Sequence, residues 1–146
     1  MITATAGLLA PETVVTLERI RELTTNHIDA DEPQYRAPLE RDCRSLSEKL
    51  GDACDVVLLG SVATSKYVEP LLQIFGERLL FPGEFVGRGD MSRGGLMLRA
   101  VEAGKELVYV PVLNATRHGP RPPKLLPIAI ARRRAAASEI ALSGEE

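Results

Sequence analysis

Three short apolar runs constrain this chain more than anything else in it. "DVVLLG" (55–60), "RLLFP" (78–82) and "LVYVPV" (107–112) set apolar side chains next to one another, without the in–out alternation of a half-exposed strand. Runs of this kind suit strands covered on both faces, as in parallel sheets. Segments with helical spacing stand between them: "TSKYVEPLLQIFG" (64–76) after the first and "SRGGLMLRAVEAG" (92–104) before the last. Strands alternating with helices predict an α/β fold: three layers, a mainly parallel sheet, helices on both faces.

Upstream, "ITATAGLL" (2–9) reads as a short strand leading into a loop. In "PETVVTLERIRELT" (11–24), Val14, Leu17, Ile20 and Leu23 recur at helical spacing, with Glu18 and Arg21 facing away. Residues 26–38 are polar and Pro-containing, hence a loop. A second helix is expected over 38–51, with Leu39, Cys43, Leu46 and Leu50 on one face and Gly51 as its stop. After residue 113 the chain changes character. "RHGPRPPKLLP" (117–127) is extended and Pro-rich. The sequence thus predicts one α/β domain over 1–123, with 124–146 a C-terminal tail or peripheral helix.

No apolar run approaches the ~20 residues that span a membrane. The N-terminus lacks the basic start and long apolar stretch of a signal peptide. Cys43 and Cys54 have no metal-ligand neighbours, so reduced thiols in a cytoplasmic protein are the expectation, with no metal site and no cofactor.

The net charge of −2 hides an asymmetry: residues 1–84 carry 8 basic and 14 acidic side chains, residues 85–134 carry 10 and 3. The positive excess begins at "FVGRGDMSRGG" (85–95), which packs four glycines, two arginines and one aspartate into eleven residues. Glycine gives up the most backbone freedom on folding, so four in a loop imply that something approaches the backbone closely. Arg88 and Arg93 can grip a phosphate or carboxylate bidentately. Asp90 or Ser92 can cap the following helix, whose first N–H groups favour an anion. The competing reading is a structural loop, with the arginines paired to local acids. The "RGD" within it is taken as a chance match to the adhesion tripeptide.

Ligands of open parallel sheets bind beyond the carboxyl ends of the strands. The first such end is "GSVATSKY" (60–67): Gly60 turns the chain, Ser61, Thr64 or Ser65 can cap a helix, and Lys66 adds charge. It is not a phosphate-binding P-loop, because the second glycine is absent and Tyr67 follows the lysine. The second end is the glycine-rich stretch. The third leads to Arg117, His118 and Arg121. The expected ligand-binding residues are therefore Gly60, Ser61, Lys66, Gly87, Arg88, Gly89, Ser92, Arg93 and Arg117. Asp90 and His118 are the candidate catalytic residues, the histidine as an acid or base near neutral pH.

Residues 56–100, from "VVLLGSVATSKY" through "FVGRGDMSRGGLMLRA", resemble a group of uncharacterised bacterial proteins with the same strand–loop order. The resemblance covers roughly residues 2–123 and implies that the chain lacks an N-terminal strand and loop. A looser similarity runs to uracil-DNA-glycosylase-like α/β domains and implies a nucleobase or nucleic-acid ligand at the strand ends. The glycosylase water-activating and leucine-loop motifs are not present, so the similarity extends to fold and ligand class only.

Two functions compete on this evidence. One is a domain that binds a nucleotide, nucleic acid or another small anion, with action on a base or nucleoside as its enzymatic form. The other is a noncatalytic interaction module that presents the Pro-rich segment 117–123 to an aromatic groove.

Overall fold

A computed structural model describes residues 1–127 and Ala129. In chain order the elements are α1 (Leu17–Leu23), α2 (Pro33–Leu50), β1 (Val56–Val57), α3 (Ser65–Phe75), β2 (Leu79–Pro82), α4 (Asp90–Ala103) and β3 (Tyr109–Pro111). Single 3₁₀ turns at Gly76–Arg78 and Gly83–Phe85 flank β2. The chain is α/β. Apart from Ala129, the expected tail beyond residue 127 lies outside the described residues.

The strands form one sheet in the order β1-β2-β3. β1 and β2 are parallel, with Val56 opposite Leu79 and Val57 opposite Leu80. The Leu58 N–H extends this ladder to the Leu80 carbonyl at 2.8 Å. β3 runs antiparallel to β2, with Phe81 opposite Val110 and Pro82 opposite Tyr109. The sheet is mixed, and the parallel direction expected for residues 107–112 is corrected. An apolar run does not encode direction, and this one is an edge strand. Tyr109 and Val110 are only half-buried and Pro111 is exposed. Antiparallel strands tolerate an open face. A proline, lacking an N–H, is at home on an edge. The central strand β2 carries the fully buried Leu79 and Phe81.

The core is one hydrophobic cluster. It joins Tyr35, Leu39 and Cys43 of α2 to Val68, Leu71 and Phe75 of α3, and through Leu79 and Phe81 to Leu96 and Val112. α2 packs on α3, and α3 on β2. The stripe read for the second helix thus faces the core, but the helix starts five residues before residue 38. Pro33 stands at its first turn, where its missing N–H costs nothing. Part of the expected 26–38 loop is therefore helical and contributes Tyr35. Its hydroxyl donates to the Lys66 carbonyl at 2.8 Å, tying α2 to the first turn of α3. Burial pushes the Tyr35 hydroxyl well above its ordinary value.

Two expectations near the N-terminus are corrected. The helix drawn over 11–24 begins only at Leu17, where Thr16 accepts the Arg19 N–H. The β-branched Thr13, Val14 and Val15 resist helical geometry before that cap. Its apolar stripe is not buried: Val14 is 85% exposed and Leu17 64%. The strand expected over 2–9 is a tight loop, closed by an isolated antiparallel bridge between Ile2 and Leu8. Gly7 sits at φ +67°, with Asp42 and the Pro38 carbonyl in the space a side chain would need. The loop is therefore pressed onto α2.

Candidate functional site

The ends of β1 and β2 lead into the two helices that build the site. After β1, Leu58–Gly60 carries the chain to α3. Thr64 holds the N-cap position, but its side chain makes no capping bond. After β2, the glycine-rich stretch enters α4 at Asp90, two residues earlier than the sequence suggested. The N-cap is Gly89, which has no side chain to cap with, so the capping roles expected of Asp90 and Ser92 are corrected. Asp90 instead occupies the first helical position, where its charge suits the helix dipole. Neither helix start is closed by a side chain, and the first N–H groups of each face outward from the ladder.

The two helix starts border one cleft of about 820 Å³. Gly60, Ser61 and Lys66 line it from the β1–α3 connection, and Asp90 and Arg93 from α4. The remaining wall is largely apolar: Ile2 and Leu8 from the N-terminal loop, Leu58 and Leu59 after β1, Tyr67, and Met97. Five of the expected residues are thus brought together. The Lys66 ammonium lies 5.1 Å from the Tyr67 ring centroid, a cation–π distance.

Two smaller grooves adjoin this cleft. One, of about 450 Å³, runs from Arg88, Gly89 and Asp90 to Arg121 and Lys124. The other, of about 290 Å³, gathers Gly87, Arg88, Gly89, Arg93, Arg117 and His118. Ser92 lines the 450 Å³ groove. Asp90 borders the cleft and the 450 Å³ groove, and His118 the 290 Å³ groove.

The two arginines of the glycine-rich stretch have different jobs. Arg93 is the buried one, at 8% exposure. Its guanidinium donates to the Arg88 carbonyl at 2.5 Å and pairs with the Asp90 carboxylate one turn earlier. Its local partners make it a brace for the turn into α4. Arg88 is half-buried; its Nε donates to the Glu84 carbonyl at 2.9 Å and its Nη1 to the Ser92 hydroxyl at 3.2 Å. It has no carboxylate partner among the described residues, and its Nη2 makes no bond there. Arg117 donates to the Val62 carbonyl at 3.4 Å.

The glycines answer the question that their number raises. Gly87 has φ +73°, and the Pro120 carbonyl occupies the place of its missing side chain. A Cβ on Gly95 would touch Leu125 at 3.3 Å. What comes close to this backbone is the protein's own Pro-rich segment, strapped across the start of α4. Nothing lies within 4 Å of a Cβ built on Gly89 or Gly94, so these two positions are open.

Sequence reasoning missed the N-terminal loop as a cleft wall, Tyr67 and Met97 as lining, and Lys124 as a groove cation beside Arg121. The Gly7 turn was the available signal for the first. The last required knowing that the Pro-rich segment folds back. Among the described residues, no group of three His, Cys, Asp or Glu side chains could hold a metal ion. No described helix is long and apolar enough to cross a membrane. Comparison with protein-family models, with curated proteins and with solved structures gives no match.

Proposed function

We propose that the chain is a nucleotide-binding α/β domain whose ligand sits in the 820 Å³ cleft between the starts of α3 and α4. The observation that carries this reading is the meeting, in one cleft, of Gly60, Ser61 and Lys66 with Asp90 and Arg93. Its volume falls within the ~300–1,000 Å³ of small-molecule sites. The lining divides as a nucleotide does. Lys66, the Ser61 hydroxyl and the uncapped start of α3 suit a phosphate. The wall of Ile2, Leu8, Met97 and Tyr67 suits a base and sugar face. Asp90 lines the cleft with an exposed carboxylate, which can accept a hydrogen bond from a ribose hydroxyl or a base amine. Two free thiols agree with a reducing, cytoplasmic setting.

The Pro-rich alternative is weaker, because segment 117–127 is engaged with its own domain. The Pro123 carbonyl accepts from Arg88 at 3.5 Å, and Pro120 and Leu125 pack on Gly87 and Gly95.

Calorimetric titration with purine and pyrimidine nucleoside monophosphates, at two salt concentrations, tests the reading. A charged hydrogen bond contributes about 1.5–3 kcal/mol, so Lys66→Ala is expected to weaken binding roughly ten- to a hundredfold. A wild-type protein that binds none of them, or a Lys66→Ala variant that binds as the wild type does, overturns it.

A further inference from the structure

The chain is net negative, yet the three adjoining cavities around the start of α4 are lined by Lys66, Arg88, Arg93, Arg117, Arg121 and Lys124 against a single carboxylate, Asp90. The cavities are continuous through shared residues. Asp90 borders the cleft and the 450 Å³ groove, Arg93 the cleft and the 290 Å³ groove, and Arg88 and Gly89 both grooves. Elsewhere Arg19, Arg36, Arg41 and Arg44 hold carboxylates, and Arg78 is bound instead by the Gly51 and Cys54 carbonyls and the Ser47 hydroxyl. Here only Arg93 holds a carboxylate. The other five cations have no carboxylate partner among the described residues. Clustered unpaired cations along grooves with low-dielectric walls focus a positive field.

Folding back the Pro-rich strap is what creates this concentration. It brings Arg121 and Lys124 opposite Arg88 and the open first turn of α4. Arg88 is held from behind by the Glu84 carbonyl and the Ser92 hydroxyl, which orients its guanidinium with Nη2 left over for a ligand. An oriented guanidinium is matched to phosphate geometry, whereas a flexible lysine supplies only point charge.

We infer that these grooves form a phosphate track, which binds an anion carrying several phosphates in succession across the start of α4. The chemistry is that of a linear polyphosphate or a phosphodiester chain. The track stands apart from the nucleotide reading of the cleft, because its cations lie mainly on the strap and on the glycine-rich turn.

The test titrates three probes at low salt: inorganic triphosphate, a short oligonucleotide without terminal phosphates, and a glutamate peptide of matching charge. The Arg121→Ala/Lys124→Ala variant removes two exposed cations that make no described hydrogen bond or ion pair, and Arg121→Glu is a second variant; thermal melts verify that both fold. Expected is binding of triphosphate or oligonucleotide that falls about tenfold or more in the double variant. For an oligonucleotide, the slope of log affinity against log salt becomes shallower by about one to two. Whichever of the two probes binds identifies the source of the phosphates. Binding of neither, binding unaffected by both variants, or equal binding of the glutamate peptide overturns the inference. If triphosphate binds but mononucleotides do not, the cleft reading falls and the track stands; the reverse result removes only the track.

Discussion

The Pro120 carbonyl lies over the Cα of Gly87, in the space where any other residue would carry its side chain. Gly87 also has φ +73°, a conformation that costs a residue with a Cβ about 1–2 kcal/mol. The clash is with backbone, so it cannot be relieved by a side-chain rotation. Gly87→Ala is therefore expected to destabilise the protein by more than about 2 kcal/mol and to release the strap. Urea melts give the first effect. Faster proteolysis within residues 117–127 gives the second. A variant as stable and as resistant as the wild type would show that the strap does not rest on Gly87.

Arg93 and Arg88 looked equivalent in the sequence, and the structure separates them. Arg93→Ala removes a buried guanidinium and leaves the Arg88 carbonyl without its donor, at a cost of about 1–3 kcal/mol. Arg88→Ala removes a partly exposed side chain bonded to a carbonyl and a hydroxyl, and is expected to cost less stability while weakening triphosphate binding. Asp90→Asn should barely change stability, since its carboxylate side is almost wholly exposed and exposed ion pairs are weak. Denaturant midpoints of the three variants rank them. Arg93→Ala as the mildest of the three would contradict its role as a brace.

That distinction marks how far the sequence could be read. That Gly60, Ser61, Lys66, Asp90 and Arg93 lie together beyond the strand ends was legible, because strand–loop–helix order alone puts them in one cleft. The direction of β3 was not, because "LVYVPV" has the same apolar continuity in an edge strand as in a central one. Of the four glycines in 85–95, Gly87 and Gly95 mark a close approach and Gly89 and Gly94 do not. A positive φ at Gly87 says nothing of what approaches, and the partner is 33 residues further along the chain. The exposed stripe of α1 failed for the opposite reason: its 3.6-residue spacing is local, while burial needs a partner surface.

The Asp42 carboxylate accepts the Leu8 N–H at 2.9 Å and so fixes the loop that walls the cleft. Burial tends to raise the Asp42 carboxyl, but the Leu8 N–H and Arg41 outweigh it and hold it below its ordinary value of 3.8. Glu40, held by Arg36, is likewise lowered from 4.5. A carboxylate with a depressed native pKa stabilises the fold above its unfolded value, and that contribution is lost as pH falls through the native one. Stability should therefore hold down to about pH 5 and decline through the ordinary carboxylate range and below. In Asp42→Asn, the deficit relative to wild type should be largest near neutral pH and shrink in acid. Urea midpoints at the two pH values decide it; an equal deficit at both would mean that the charge of Asp42 plays no part.

The two cysteines should differ sharply in reactivity. Cys43 is 1% exposed on the core face of α2, and burial, with Asp42 and Glu40 adding repulsion, pushes its thiol up to about 11. The thiolate is the reactive species, so at mildly alkaline pH almost none of Cys43 is both ionised and reachable. Cys54, just before β1, is exposed and free. Native protein treated with iodoacetamide should gain one label, at Cys54, and denatured protein two, as read by intact mass and peptide mapping. The rate of Cys43 labelling should then report opening of the α2–α3 core, and should rise in urea in step with unfolding. Rapid labelling of Cys43 under native conditions would mean that the packing of α2 against α3 opens easily, and the core described above would need revision at that contact.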